Sequence, residues 1–203
     1  MAQLDRLALF IDYQNAYKGA RTALGVGDED SHIHGQFDPV ELARLLARRQ
    51  PSYHGARLRQ ITQVSIYRGL PGASHDSVGY GATRRQIAKW RASCPTGTTP
   101  QLDIHLRPLD YSLGSPREKG IDVLLALDLA FGAANDDFDV VMLFSGDSDL
   151  LPALERAHSF GVSCETVSWQ GGRRHLPRKP FISWEHKLTE LDYSDVEDVT
   201  DYR

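Results

Sequence analysis

The chain alternates between two hydrophobic rhythms. Residues 7–11 (Leu-Ala-Leu-Phe-Ile) are apolar throughout, the pattern of a strand buried on both faces, and 139–144 ends in a similar run. Residues 61–67 and 102–106 read as further strands, the latter ending at Pro108, and 162–167 as another. Between them apolar residues recur at helical spacing. At 39–49, Val40, Leu42, Leu45 and Leu46 turn to one side behind an Asp38 N-cap, a first-turn Pro39 and a capping-box acid at Glu41. Helices are also predicted at 84–91, 121–134 and 149–160. Pro152 is tolerable in the last because it falls in the first turn, and Gly161 fits its C-terminal cap. The 121–134 helix is apolar on nearly every side, as expected of one packed deep against a sheet. Residues 16–36 read as a polar, glycine-bearing stretch, and 69–81 as a mobile loop.

Strands alternating with helices predict an α/β fold with a mainly parallel sheet covered on both faces. At 203 residues, 41% of them hydrophobic, the chain can bury one sizeable core. No internal repeat or strong linker divides it. One domain over 1–180 is expected, with an acidic segment at 181–203 packed on it or trailing from it. The longest apolar stretch, 121–134, is interrupted by Asp122 and Asp128, so no membrane span is expected. The first residues lack a signal-peptide pattern, and Cys94 and Cys164 are too far apart in sequence to suggest a zinc knuckle or a disulfide framework. A cytoplasmic location is the resulting expectation.

Net charge is −4, which does not by itself suggest a nucleic-acid binder. Its distribution is uneven. Seven acids face Lys187 and Arg203 between Glu185 and Arg203, a local balance of −5 that leaves about +1 for the rest. That acidic end is read as a solvated tail or as a cover over a basic groove.

Three short acidic clusters carry the candidate chemistry. Asp12 and Asn15 follow the first strand, Lys119 and Asp122 open a helix, and Ser145, Asp147 and Asp149 follow the strand at 139–144. In a parallel sheet the carboxyl ends of neighbouring strands meet at one edge, so acids distant in sequence can converge there. Crowded carboxylates repel one another unless a divalent cation neutralises them, and hard oxygen donors suit Mg²⁺ or Mn²⁺. The chemistry this points to is metal-assisted phosphodiester cleavage.

Phe-Ile-Asp-x-x-Asn at the first strand, Lys-Gly-x-Asp at a helix start and Ser-Gly-Asp-Ser-Asp after a later strand resemble, in order and setting, the NYN domain of the PIN-like nuclease superfamily, closest to its LabA-like branch. The resemblance spans 4–172. It implies a Rossmann-like three-layer sandwich and a Mg²⁺- or Mn²⁺-dependent ribonuclease that leaves a 5′-phosphate and a 3′-hydroxyl. It also implies RNA as the substrate, with DNA left open, and makes a homodimer possible.

On this basis Asp12, Asp122 and Asp147 are the expected metal ligands, with Asp149 binding a second ion or orienting water. Each has a plainer structural use: Asp12 and Asp147 as turn or helix caps, Asp122 as a first-turn acid favoured by the helix dipole. Asn15 is expected to bind a phosphate or a water, Lys119 a phosphate, and Ser145 a carboxylate or phosphate. Asp128, on the apolar stripe with Leu124 and Leu125, is expected to be a structural hydrogen-bonding residue. Of two basic stretches, the loop carrying Arg173, Arg174, Arg178 and Lys179 is favoured for phosphate contacts. In the other, Arg84 to Arg91, Trp90 is expected to be buried rather than to stack on a base. His32 and His34 are read as loop residues. A haloacid-dehalogenase phosphatase would need an acid where Gln14 stands. The remaining alternatives are a non-catalytic binding module on the same fold and a DNA-directed nuclease.

Overall fold

The computed structural model describes residues 4–27, 29–49, 57–172 and 175–203. Six parallel strands form the central sheet in the order β3-β2-β1-β4-β5-β6. They are β1 (Asp5–Asp12), β2 (Arg59–Leu70), β3 (Gln101–Pro108), β4 (Val140–Phe144), β5 (Ser163–Trp169) and β6 (Ile182–Leu188). The apolar runs in β1 and β4 occupy the two central positions, where a strand is covered on both faces. Leu7, Leu9 and Ile11 face one core, and Ala8 and Phe10 face the other.

The first core is closed by α1 (Tyr13–Ala23), α2 (Pro39–Arg48), α3 (Ser77–Ser93) and α6 (Glu190–Val196). The second is closed by α4 (Ile121–Ala134) and α5 (Leu151–Ser159). The result is the expected three-layer α/β sandwich. Its order reverses between β1 and β4, and at such a switch point the loops leaving the two strands diverge and open a crevice.

Several local expectations are corrected. The stretch after Asn15 contains helix α1, whose stripe of Tyr13, Ala16, Tyr17 and Ala20 is made of small and polar-tipped residues flanked by polar ones. It is held by tertiary contacts, with Ala16 and Ala20 buried and Trp169 Nε1 donating to Ala16 O at 2.9 Å. The loop expected over 69–81 ends early. Asp76 caps α3 through Gly79 N at 2.8 Å, so the helix starts seven residues before the predicted residue 84. Helix α4 is not enclosed: Val123, Leu127 and Phe131 are 57%, 48% and 62% exposed along one side. Asp38 caps α2 as predicted, but Glu41 pairs with Arg44 instead of closing a capping box.

The acidic end is ordered and integral to the fold. It supplies β6 and α6, and Asp198, 2% exposed, sits 2.8 Å from Lys89 Nζ on α3. The Arg85 guanidinium donates to Tyr202 O at 2.8 Å. Arg85 and Lys89 of α3 therefore face this segment, and Trp90 is fully buried.

Candidate active site

Asp12 is the last residue of β1 and the N-cap of α1, and its two carboxylate oxygens have different partners. Oδ1 accepts from Asn15 N at 3.1 Å, while Oδ2 accepts from Ser145 Oγ at 3.1 Å across the crevice. Ser145 Oγ in turn accepts from Asp147 N at 3.1 Å, and Asn15 Oδ1 accepts from Gly146 N at 2.8 Å. The loop after β4 is thus bonded to the start of α1 at two points. Asp147 Oδ1 caps a short 3₁₀ turn through Asp149 N at 3.0 Å. The plainer structural uses of Asp12 and Asp147 are real, and they leave both carboxylates beside the crevice.

Asp122 lies in the first turn of α4 and is partly exposed. The helix takes no side-chain cap, because Gly120, at φ 71°, holds the N-cap position. Burial pushes the Asp12 carboxyl above its usual range, and the charges of Asp147 and Asp122 push it further, against the bonds from Asn15 and Ser145. Asp12, Asp122 and Asp147 therefore share one electrostatic environment.

The sequence reading overlooked Glu118. Its Oε1 accepts from Gly69 N at 2.6 Å. Gln14, with its amide NH₂ turned toward this carboxylate, donates to it at 2.8 and 2.9 Å and accepts from Lys18 Nζ at 3.1 Å. Burial raises the Glu118 carboxyl, and the charge of Asp12 adds to the rise. The signal was present in the sequence: Glu118 precedes Lys119 in the segment that leads to Asp122.

Other candidates stand apart. Lys119 is exposed and turns toward Asp110, 3.6 Å away. Asp149 is exposed, and its backbone N donates to Asp147 Oδ1. Arg178 and Lys179 are exposed on the connection from β5 to β6, and Lys179 borders a groove shared with Ser148 and Glu155. Arg173 and Arg174 lie outside the described residues. His32 bonds to Asp201 at 3.0 Å, and Asp128 accepts from Tyr67 OH at 2.9 Å, the structural role expected of it.

Among the described residues, no three His, Cys, Asp or Glu side chains converge closely enough to hold an ion as they stand. The donor chemistry nevertheless fits a hard divalent cation. All the groups are carboxylates, and Asp12 carries a charge that burial and its acidic neighbours leave uncompensated.

Comparison with known proteins agrees with this architecture. A crystal structure of a Vibrio parahaemolyticus protein of unknown function, VPA0982, superposes with a TM-score of 0.60 at 16% identity, covering 94% of this chain and 98% of that one. No curated protein matches the chain. Among the described residues no helix is long and apolar enough to cross a membrane. The NYN domain profile matches residues 6–189, from β1 through β6. The chain belongs to the NYN domain family, a family of PIN-like nucleases.

Proposed function

We propose that the protein is a Mg²⁺- or Mn²⁺-dependent endoribonuclease. The observation that carries this reading is the bond from Ser145 Oγ to Asp12 Oδ2 across the sheet's switch point. It draws the acidic loop after β4 to the end of β1, with no cation among the described residues bonded to Asp12. Asp12, Asp122 and Asp147 would hold the ion, with Asp149 close behind on its turn. Such an ion, when bound, supplies an activated water and stabilises the charge developing on the leaving 3′ oxygen.

The chain's own residues do the positioning. Ser145 holds one oxygen of Asp12 and fixes its rotamer, while Asn15 holds the backbone of Gly146 and keeps the β4 loop against α1. The Asp12 oxygen that bonds Asn15 N also receives the positive end of α1. Arg178 and Lys179, with Arg173 and Arg174 on the same connection, would meet phosphates beyond the scissile one. Lys119, exposed at the mouth of α4, would do so on the other side once released from Asp110.

The test is incubation of wild type and Asp12→Asn with end-labelled single-stranded RNA and DNA in Mn²⁺, Mg²⁺ or EDTA. Expected is metal-dependent cutting of RNA that the variant loses. Preferential DNA cutting would move the substrate class. No cutting by folded wild type with either metal would leave a binding module on the same fold.

A further inference from the structure

A hollow of ≈260 Å³ opens beside the acids, between α1, the end of β2 and α3, with Tyr202 and Arg203 as its far wall. It adjoins the acidic cluster directly, because Gln14 and Glu118 line it and Tyr13 follows Asp12 in the chain. Two features of its lining are incomplete. Gln36 is only 7% exposed, and its amide Nε2 has no hydrogen-bond partner, although its Oε1 accepts from Gln86 Nε2 at 2.9 Å. A buried donor left unpaired is costly, and this one has almost no accessible surface, so a ligand in the hollow reaches it only if the Gln36 amide turns.

The second feature is Arg68. Its guanidinium lies 4.9 Å from the Tyr13 ring centroid and donates to Gln86, yet among the described residues no carboxylate lies within 4.0 Å of it. Burial pushes its pKa down, and the nearby Glu118 charge acts against this without being bonded to it. The carboxylates on the same wall are already engaged, Glu118 by Gly69 N and Gln14, and Asp76 by Gly79 N. His32 is bonded to Asp201.

We infer that this hollow is a subsite for one nucleotide of the substrate strand, with a phosphate on Arg68 and the base against Tyr17. The inference rests on the nuclease reading, since it supposes a single strand crossing the neighbouring acids. Guanidinium suits phosphate because its donors form a planar fork, and tyrosine rings accept any base by stacking. Gln36, which lines the hollow, would add a donor to a base or ribose oxygen only by turning its amide.

The test measures binding of uridine and adenosine 5′-monophosphate to the full chain in EDTA, by calorimetry and NMR, with uridine and inorganic phosphate as separate probes. Both nucleotides should bind wild type and Asp12→Asn alike. Arg68→Gln should weaken them about tenfold or more, the loss of a charge-assisted hydrogen bond. Ala82→Trp, which fills the hollow from α3, should abolish binding and keeps the test decisive should Arg68→Gln fail to fold. No nucleotide binding to wild type, equal binding of phosphate alone, or binding indifferent to both variants would overturn the subsite. RNA cutting without nucleotide binding would remove the subsite and leave the nuclease. Nucleotide binding without any cutting would remove the nuclease and leave a nucleotide-binding hollow.

Discussion

Ser145 Oγ donates to Asp12 Oδ2 at 3.1 Å, joining residues 133 positions apart across the seam between β1 and β4. The bond places the first and third acidic motifs at one point. It does so because β1 and β4 pair in register up to Ile11 and Phe144, which puts Asp12 and Ser145 next in line on each strand.

Asp12→Asn should abolish cleavage while preserving the fold. Asparagine keeps one acceptor oxygen, which can still cap α1 through Asn15 N. It turns its NH₂ toward Ser145 Oγ, which then accepts instead of donating, so the charge is lost while both contacts can be kept. The folded-state pKa of Asp12 lies above its ordinary value, so this group favours folding at low pH and its contribution falls as pH rises through the ordinary carboxylate range toward the folded value. Removing the charge should therefore raise Tm at neutral pH, by about 2–4 °C for each kcal/mol gained. Cleavage should fall about 100-fold or more. A lower Tm by calorimetry, or undiminished cutting, would contradict the role given to this carboxylate.

Asp128→Asn should behave in the opposite way. The residue, on α4, accepts from Tyr67 OH at 2.9 Å and lies 3.6 Å from His105 Nδ1, with no bond of its own to Asp12. The expected loss is about 0.5–1.5 kcal/mol in urea unfolding, with cleavage rate unchanged. A rate that fell with stability intact would mark Asp128 as part of the reacting centre.

The fully buried Glu165 is held by Arg59 at 2.6 Å and His186 at 2.7 Å. Burial alone would raise its pKa, but the bonds from His186 and Arg59 outweigh it and hold the carboxyl below its usual range. Its contribution is therefore complete above the ordinary carboxylate range and is lost as pH falls through the depressed value. Glu165→Ala strands a buried arginine and should cost about 3–5 kcal/mol. Unfolding midpoints followed from neutral to acid pH should show the gap between wild type and variant closing as pH falls. A gap independent of pH would sink this account.

Gly132→Ala sets two effects against each other in α4. Alanine gains about 1 kcal/mol in helix propensity. The new Cβ, however, would stand 2.6 Å from Phe138 Cε1 in the second core, and such overpacking costs about 1–3 kcal/mol. The clash wins, so Tm should fall, and Phe138→Leu on top of it should recover part of the loss. A single variant more stable than wild type would show that the Phe138 ring moves aside freely.

Local chemistry in the sequence located most of the elements. Unbroken apolar runs marked β1 and β4, Asp38-Pro39 marked the start of α2, and the three acidic motifs marked their own places at strand and helix ends. The reading failed where small or polar residues masked an element. Helix α1 depends on Trp169 and on the Asp12 cap, and the early start of α3 depends on Asp76. Strand β6 mixes charged and apolar residues because it lies at the sheet's edge, where Glu185 and Lys187 can face solvent.

What the sequence alone determined was the alternation of strands and helices and the presence of acids where strands end, because hydrophobic periodicity and turn chemistry act between near neighbours. Only the tertiary structure decided which of those acids meet. Strand order brings Asp12 to Ser145 and Asp147, turns Lys119 toward Asp110, adds Glu118, and leaves Arg68 and Gln36 facing a hollow with incomplete partners. Proximity across a sheet depends on strand order and side-chain direction, and neither is written in the spacing of residues along the chain.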